Sequence, residues 1–351
     1  MFPKLRFKEF DGDWLKLKYK DVLTIKYGKD HKSLNDGDIP VYGTGGLMRH
    51  VNKYLYDGES ILIGRKGTID KPKYINEKFW TVDTLFYTEI EESIVPLFLY
   101  QHALEVNWLG LNEATGVPSL NTTSIYNIDI SIPSKEEQTK IASFLSAVDE
   151  KISQLTKKHE LLSQYKQGMM QKLFSQQVRF KADDGSEFGE WDQLKFKDVI
   201  KIKYGKDHKK LDDGDIPVLG TGGVMRYVDS YLYEGESILI GRKGTIDKPR
   251  FISGKFWTVD TLFYTEIGEK ILPKFAFQQL LLVNWLNLNE ATGVPSLNTT
   301  SIGNIELKVP CLAEQTKIAN VLSAIDQKIE VVSKQIEQAK TWKKGLLQQM
   351  F

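Results

Sequence analysis

The feature that most constrains this chain is a duplication. GRKGTID occupies positions 64–70 and returns at 241–247, an offset of 177 residues. KYGKDH (26–31 and 203–208), FWTVDTLFYTEI (79–90 and 256–267), LNEATGVPSLNTTSI (111–125 and 288–302) and EQTKIA (137–142 and 314–319) repeat at the same offset. A solenoid unit runs roughly 20–50 residues and cannot bury its own core. A period this long makes each copy a whole domain with its connector. The openings differ: PKLRFKEFDGDW precedes the first copy, and VRFKADDGSEFGEW, with extra residues, precedes the second. The second opening is rich in Asp, Gly, Ser and Glu and reads as the linker between halves.

Two textures alternate within a copy. Trp14 to Pro133 is strand-like. Ser60 to Ile63 is a short apolar run ending in a glycine-bounded turn. FWTVDTLFYTEI reads as an aromatic, β-branched strand pair with Trp80 and Trp257 in its core. PLFLYQHALEVNWLGL has helical period, and SIYNIDISIP reads as a strand closed by Pro133. The second texture opens at Ser134 with a capping box, Ser134 to Glu137. Ile141, Val148, Leu155 and Leu162 then recur every seven residues, with Leu145 and Ile152 on the companion seam. The second copy supplies Ile318, Ile325, Val332 and Leu346. A 3.5-residue apolar period demands a helical partner. His159, Lys166 and Lys343 interrupt the seams and are expected to weaken them.

The expected fold is α+β. Two mixed α/β domains, 1–133 and 191–310, are joined by long helices at 134–175 and 311–351, with a linker at 176–190. The helices pair as an antiparallel coiled coil, giving pseudo-two-fold symmetry. A swap between chains satisfies the same stripe, and the sequence leaves both open.

Composition sets limits. The formal net charge of +1 is too balanced to argue for nucleic acid by itself, so local clusters must carry that case. One cysteine, Cys311, permits no internal disulfide; with no secretory signal, a cytoplasmic location is expected. No stretch is apolar enough to span a membrane.

The opening PKLRFKEFDGDW, the loop ILIGRKGTID, the stretch NEATGVPSLNTTSIYNIDISIP and the helix start KEEQTKIA together resemble the specificity subunit of type I restriction-modification enzymes. The resemblance covers nearly the whole chain and occurs twice. It implies that 1–133 and 191–310 are target recognition domains and that the helices are the spacer between them. It also implies a non-catalytic, DNA-reading subunit that directs adenine methylation and, with a restriction subunit, ATP-dependent cleavage. Double-stranded DNA, two methyltransferase subunits and restriction subunits are the implied partners. S-adenosylmethionine, ATP and Mg would belong to them, with no cofactor in this chain. Recognition domains in this family usually differ from each other. Two nearly identical ones imply a bipartite target that is an interrupted palindrome or one base short of one, the half-sites differing at one position if His50 and Tyr227 contact bases.

The residues support DNA binding locally. In the basic loop, glycines flank Arg65, Lys66 and Thr68, and their counterparts Arg242, Lys243 and Thr245. Arginine suits guanine O6 and N7 or a phosphate, and lysine and threonine suit phosphate oxygens. Lys26, Lys29, His31 and Lys32 form a second patch, repeated as Lys203, Lys206, His208 and Lys209. Arg49 and Arg226 follow the GTGG turns and complete the candidate set. Thr115 and Gly116 are read as structural, and Asn121 as a cap. No metal site is expected, because neither His31 nor His208 has a second ligand at suitable spacing. No methyltransferase motif, Walker loop or nuclease cluster is present, so no catalytic residue is assigned. Two competitors are carried: a hydrolase built on Asp70 and Asp83, and a bivalent scaffold for protein or glycan. A scaffold would lack salt-dependent DNA affinity.

Overall fold

The computed structural model describes residues 3–351. The chain forms two compact units, Met1–Lys157 with Ser333–Phe351 and Lys158–Val332. The division cuts across both long helices, so each unit contains part of each.

The first unit holds a six-stranded sheet, in the order β2-β7-β5-β6-β3-β4. These strands are β2 (Leu23–Tyr27), β3 (Ile39–Gly43), β4 (Gly46–Val51), β5 (Tyr56–Gly64), β6 (Lys73–Thr81) and β7 (Leu85–Ile90). All neighbours pair antiparallel except β3 and β6, where Val41 aligns with Trp80 in parallel. The run Ser60–Gly64 is buried throughout because both faces of β5 are covered. Ile61 and Ile63 face one core, shared with helix α1 (Pro96–Ala103). Leu62 faces another with Phe79, Leu85 and Tyr87.

The stretch read as one strand at 124–133 is divided. Thr122–Tyr126 is a helical turn, α2. The Asn121 side chain accepts from the Ser124 amide at 2.7 Å and starts it. The strand is confined to β8 (Asp129–Ile132), which pairs with β1 (Leu15–Lys18) in a separate ribbon.

The second unit repeats this plan. Its sheet, in the order β10-β15-β13-β14-β11-β12, is built from β10 (Ile200–Tyr204), β11 (Ile216–Gly220), β12 (Gly223–Val228), β13 (Tyr233–Gly241), β14 (Arg250–Thr258) and β15 (Leu262–Ile267). The ribbon pairs β9 (Asp192–Lys195) with β16 (Glu306–Val309). Helices α4 (Phe196–Val199), α5 (Pro273–Leu280) and α6 (Thr299–Gly303) complete it.

The long helices are α3 (Lys135–Phe174) and α7 (Leu312–Met350), about 60 Å each at 1.5 Å per residue. Within each unit their segments pack with opposite chain directions. In the first unit Ile141, Leu145 and Val148 near the start of α3 share a core with Leu346, Leu347 and Met350 at the end of α7. In the second unit Met170 and Leu173 at the end of α3 meet Ile318, Leu322 and Ile325 near the start of α7. Leu155 and Val332 are buried, and Leu162 is half-buried.

Two expectations about these helices are corrected. Lys166 and Lys343 do not simply interrupt the seam. Each reaches an aspartate of the other helix at 2.6 Å, Asp326 and Asp149 respectively. Those aspartates also accept from Gln278 and Gln101 of the adjoining sheet domain. One carboxylate thus joins a domain to both helices. The capping box is only half formed. Ser134 Oγ accepts from the Glu137 amide at 3.3 Å, but the Glu137 carboxylate binds Arg6. A charge-assisted fork outcompetes a backbone amide.

One difference between the copies makes a pH prediction. In the first unit the Tyr19 hydroxyl lies 2.9 Å from His102 Nδ1, and the Phe351 ring covers the imidazole. The second unit has Phe196 and Gln279 there. Burial pushes His102 down to about 4. Its folded value is below the unfolded one, so the unfolded chain takes up a proton first. The first unit should lose roughly 2–3 kcal/mol as pH falls from about 6.5 to 4. Denaturant titrations across that range should show a smaller loss for His102→Gln, which copies the second unit.

Among the described residues no helix is long and apolar enough to cross a membrane.

Candidate nucleic-acid interface

In each unit the loops singled out by the repeat meet around one tight turn, Val82–Asp83–Thr84 or its counterpart Val259–Asp260–Thr261. The Lys29 amide donates to Thr81 O at 2.8 Å, and the Val82 amide donates to Tyr42 O at 3.1 Å. The Arg65 amide donates to Thr84 O at 2.8 Å. Backbone bonds therefore dock the KYGKDHK loop, the GTGG turn and the basic loop on one hub. Close approach needs glycine here. A Cβ on Gly28 would lie 2.0 Å from Val82 O, and one on Gly64 would lie 2.0 Å from Thr68 O. Gly67 takes φ 89°, a left-handed conformation that bends the basic loop back.

A further segment joins the cluster. The Gly67 amide donates to Pro118 O at 2.9 Å, and Leu120 N donates to Arg65 O at 2.9 Å. Lys66 and Ser119 form an antiparallel bridge. The stretch TGVPS at 115–119 therefore lies beside the basic loop, while Leu120 enters the core shared with α3. Asn112 holds its ends: Oδ1 accepts from Ala114 N and Ser119 N at 3.1 and 2.9 Å. The same contacts recur around Gly244, Pro295, Ser296 and Asn289.

The candidate side chains fall into two groups. Arg65 lies over the exposed Tyr27 ring, 5.4 Å from its centroid, and donates from Nη1 to Asp83 O at 3.1 Å. Arg242 does the same with Tyr204 and Asp260 O. These contacts position the guanidinium without neutralising it. Lys66 and Lys243 are exposed at the loop tip, and Thr68 and Thr245 follow them. Lys29, Lys32, Lys206 and Lys209 are also exposed and make no ion pair among the described residues.

The second group is already engaged. Lys26 pairs with Glu89 at 3.1 Å and Lys203 with Glu266 at 3.2 Å; the pairing raises the Lys26 pKa. Arg49 binds Asp36 at 2.5 Å and Leu34 O at 3.2 Å, tying β4 to the preceding loop. Arg226 repeats this with Asp213 and Leu211 O. His31 and His208 belong to neither group: each is half-buried, with a buried Nδ1 that has no hydrogen-bond partner among the described residues. Trp80 is half-buried rather than central, and donates to Lys29 O at 2.9 Å. Asp83 offers this cluster its carbonyl.

In the second unit the cluster encloses an open cavity of about 750 Å³, lined by Asp207, His208, Lys209, the Gly220–Met225 turn and the Val259–Thr261 hub. The cavity itself carries Lys209 against Asp207 and Asp260, so the cationic character of the cluster comes from the neighbouring Arg242 and Lys243, which with exposed Tyr204 suit a nucleic-acid backbone and base edges.

Two repeated mixed sheet domains, each with the same loop cluster and with part of both long helices, match one family of proteins. The family model described as "Type I restriction modification DNA specificity domain" matches residues 11–163 and again 189–341. The chain belongs to this family. It is 28% identical over 345 residues to the type I restriction enzyme MjaVIII specificity subunit of Methanocaldococcus jannaschii, covering 84% of this chain and 76% of that one. It is 23% identical over 315 residues to a Haemophilus influenzae specificity subunit, covering 83% and 80%. The crystal structure of the type I restriction-modification S subunit from M. genitalium has the same fold, with TM-score 0.75 at 18% identity, over 100% of this chain and 99% of that one.

Proposed function

We propose that this chain reads a bipartite double-stranded DNA site for a type I restriction-modification assembly and performs no catalysis itself. One observation carries the reading: each unit displays the same loop cluster, built from identical residues at 26–32, 43–46, 64–70 and 111–125 and their counterparts. Identical readers select identical words. The site is the same short word twice, in opposite senses, around an unread gap, the arrangement in which a two-fold-symmetric duplex offers one word to two identical readers. Two methyltransferase subunits sit on the outer flanks of the helices, and restriction subunits join them. Those subunits hold S-adenosylmethionine, ATP and Mg and flip the adenine. A scaffold for protein or glycan gives no role to unpaired Arg65, Lys66 and their repeats.

Selection from a duplex library with variable half-sites and variable gaps, using the assembled complex, tests this reading. The expected outcome is one word on both strands at one gap length. One added gap base pair shifts a half-site ~3.4 Å and rotates it by roughly 34–36°, which a rigid reader does not follow. Unrelated half-sites would refute the palindrome, and equal recovery at several gap lengths would refute the fixed spacing.

A further inference from the structure

Val117 and Val294 have no structural role in view. Each is 68% exposed, and neither belongs to a core cluster. Each sits at the tip of a loop held rigid by an asparagine clamp, next to the proline whose carbonyl accepts from the basic loop. A Cβ on the neighbouring Gly116 or Gly293 would meet nothing within 4 Å, so the tips project clear of the protein. Exposed positions elsewhere on the sheet domain have diverged between the copies: His50, Lys53 and Glu77 stand against Tyr227, Ser230 and Gly254. The valines have not. Met48 and Met225 are also exposed and unchanged, but their sulfur atoms lie over Gly43 and Gly220 of the turn; two other exposed apolar residues are placed differently. Tyr27 lies beneath Arg65, and Leu47 is replaced by Val224.

A branched apolar side chain beside an arginine whose charge is not neutralised and an exposed lysine fits one feature of a major groove, the thymine C5 methyl group. It is the apolar group on a base edge there, and aliphatic side chains read it by contact. We propose that Val117 and Val294 are specificity-determining residues that each pack on a thymine methyl, one in each half-site. The cationic loop holds the adjacent backbone at the same time. This rests on the DNA-reading assignment above and adds a base identity to it. Contact is lost when the methyl is absent, whichever phosphates are gripped.

The test replaces each thymine of the selected target, one at a time, with deoxyuridine, which removes only the methyl. Affinities are measured for the assembled complex carrying the wild-type chain or Val117→Ser with Val294→Ser. In the wild type one thymine per half-site should respond, losing about fourfold, and about fifteenfold when both are replaced. In the double variant those positions should become insensitive, with unchanged salt dependence and melting temperature. Specific binding with no methyl-sensitive thymine, or sensitivity that survives in the variant, overturns the inference and leaves the DNA-reading assignment intact. Absence of sequence-specific binding by the wild-type complex overturns both.

Discussion

Arg6→Ala is expected to destabilise the first unit by about 3–5 kcal/mol, the range for removing one partner of a buried ion pair. Arg6 Nε and Nη2 donate to the two Glu137 oxygens, both at 2.7 Å, and Nη2 also donates to Gly12 O at 2.6 Å. The Glu137 side chain is 1% exposed. Without Arg6 the carboxylate is left buried at the start of α3. Arg179 makes the equivalent fork to Glu314, but there Trp191 Nε1 also donates to Oε2 at 3.0 Å. The corresponding Trp14 Nε1 is buried with no hydrogen-bond partner. Arg179→Ala should therefore cost less than Arg6→Ala. Urea unfolding of both variants measures the difference. Arg6→Met combined with Glu137→Met should recover most of the loss, since an apolar pair leaves no stranded charge. Equal stability of Arg6→Ala and the wild type would mean that the carboxylate finds water or another donor.

Arg65→Ala with Arg242→Ala should weaken specific DNA binding by roughly 30-fold to 10,000-fold, from ~1–3 kcal/mol for each bidentate base contact. The structure adds a reason for a large effect. Each guanidinium is held in advance by a tyrosine ring and a backbone carbonyl. Little side-chain entropy remains to be lost on binding. The loops themselves are fixed by backbone bonds to Thr84 and Thr261, so the fold should survive the change. Titration of labelled target duplex decides the matter. Wild-type affinity with an unchanged salt slope would mean that these arginines do not face DNA. The companion change Arg49→Ala should instead act through stability, because Asp36 and Leu34 O occupy that side chain.

The duplication, the strand-rich domains and the heptad helices were legible in the residues because each depends on local periodicity. The short apolar run of β5, and apolar residues every seven along α3 and α7, are signals carried within a single element. The basic loop was legible for a similar reason: Gly64 and Gly67 mark a turn wherever they occur. The position of Thr115–Ser119 beside the basic loop was not legible. Its place beside Lys66 is made by a backbone bond between residues 51 positions apart, which leaves no trace in composition. The seam lysines misled for the same reason. Lys343 and Asp149 are separated by 194 positions, and only packing brings the charge to its partner. The sequence by itself determined the repeat, the strand-rich domains with their long helices, and the family. Tertiary structure decided which cations remain free, because neutralisation of Lys26 by Glu89 and Arg49 by Asp36 requires the folded geometry and is invisible to any count of charges.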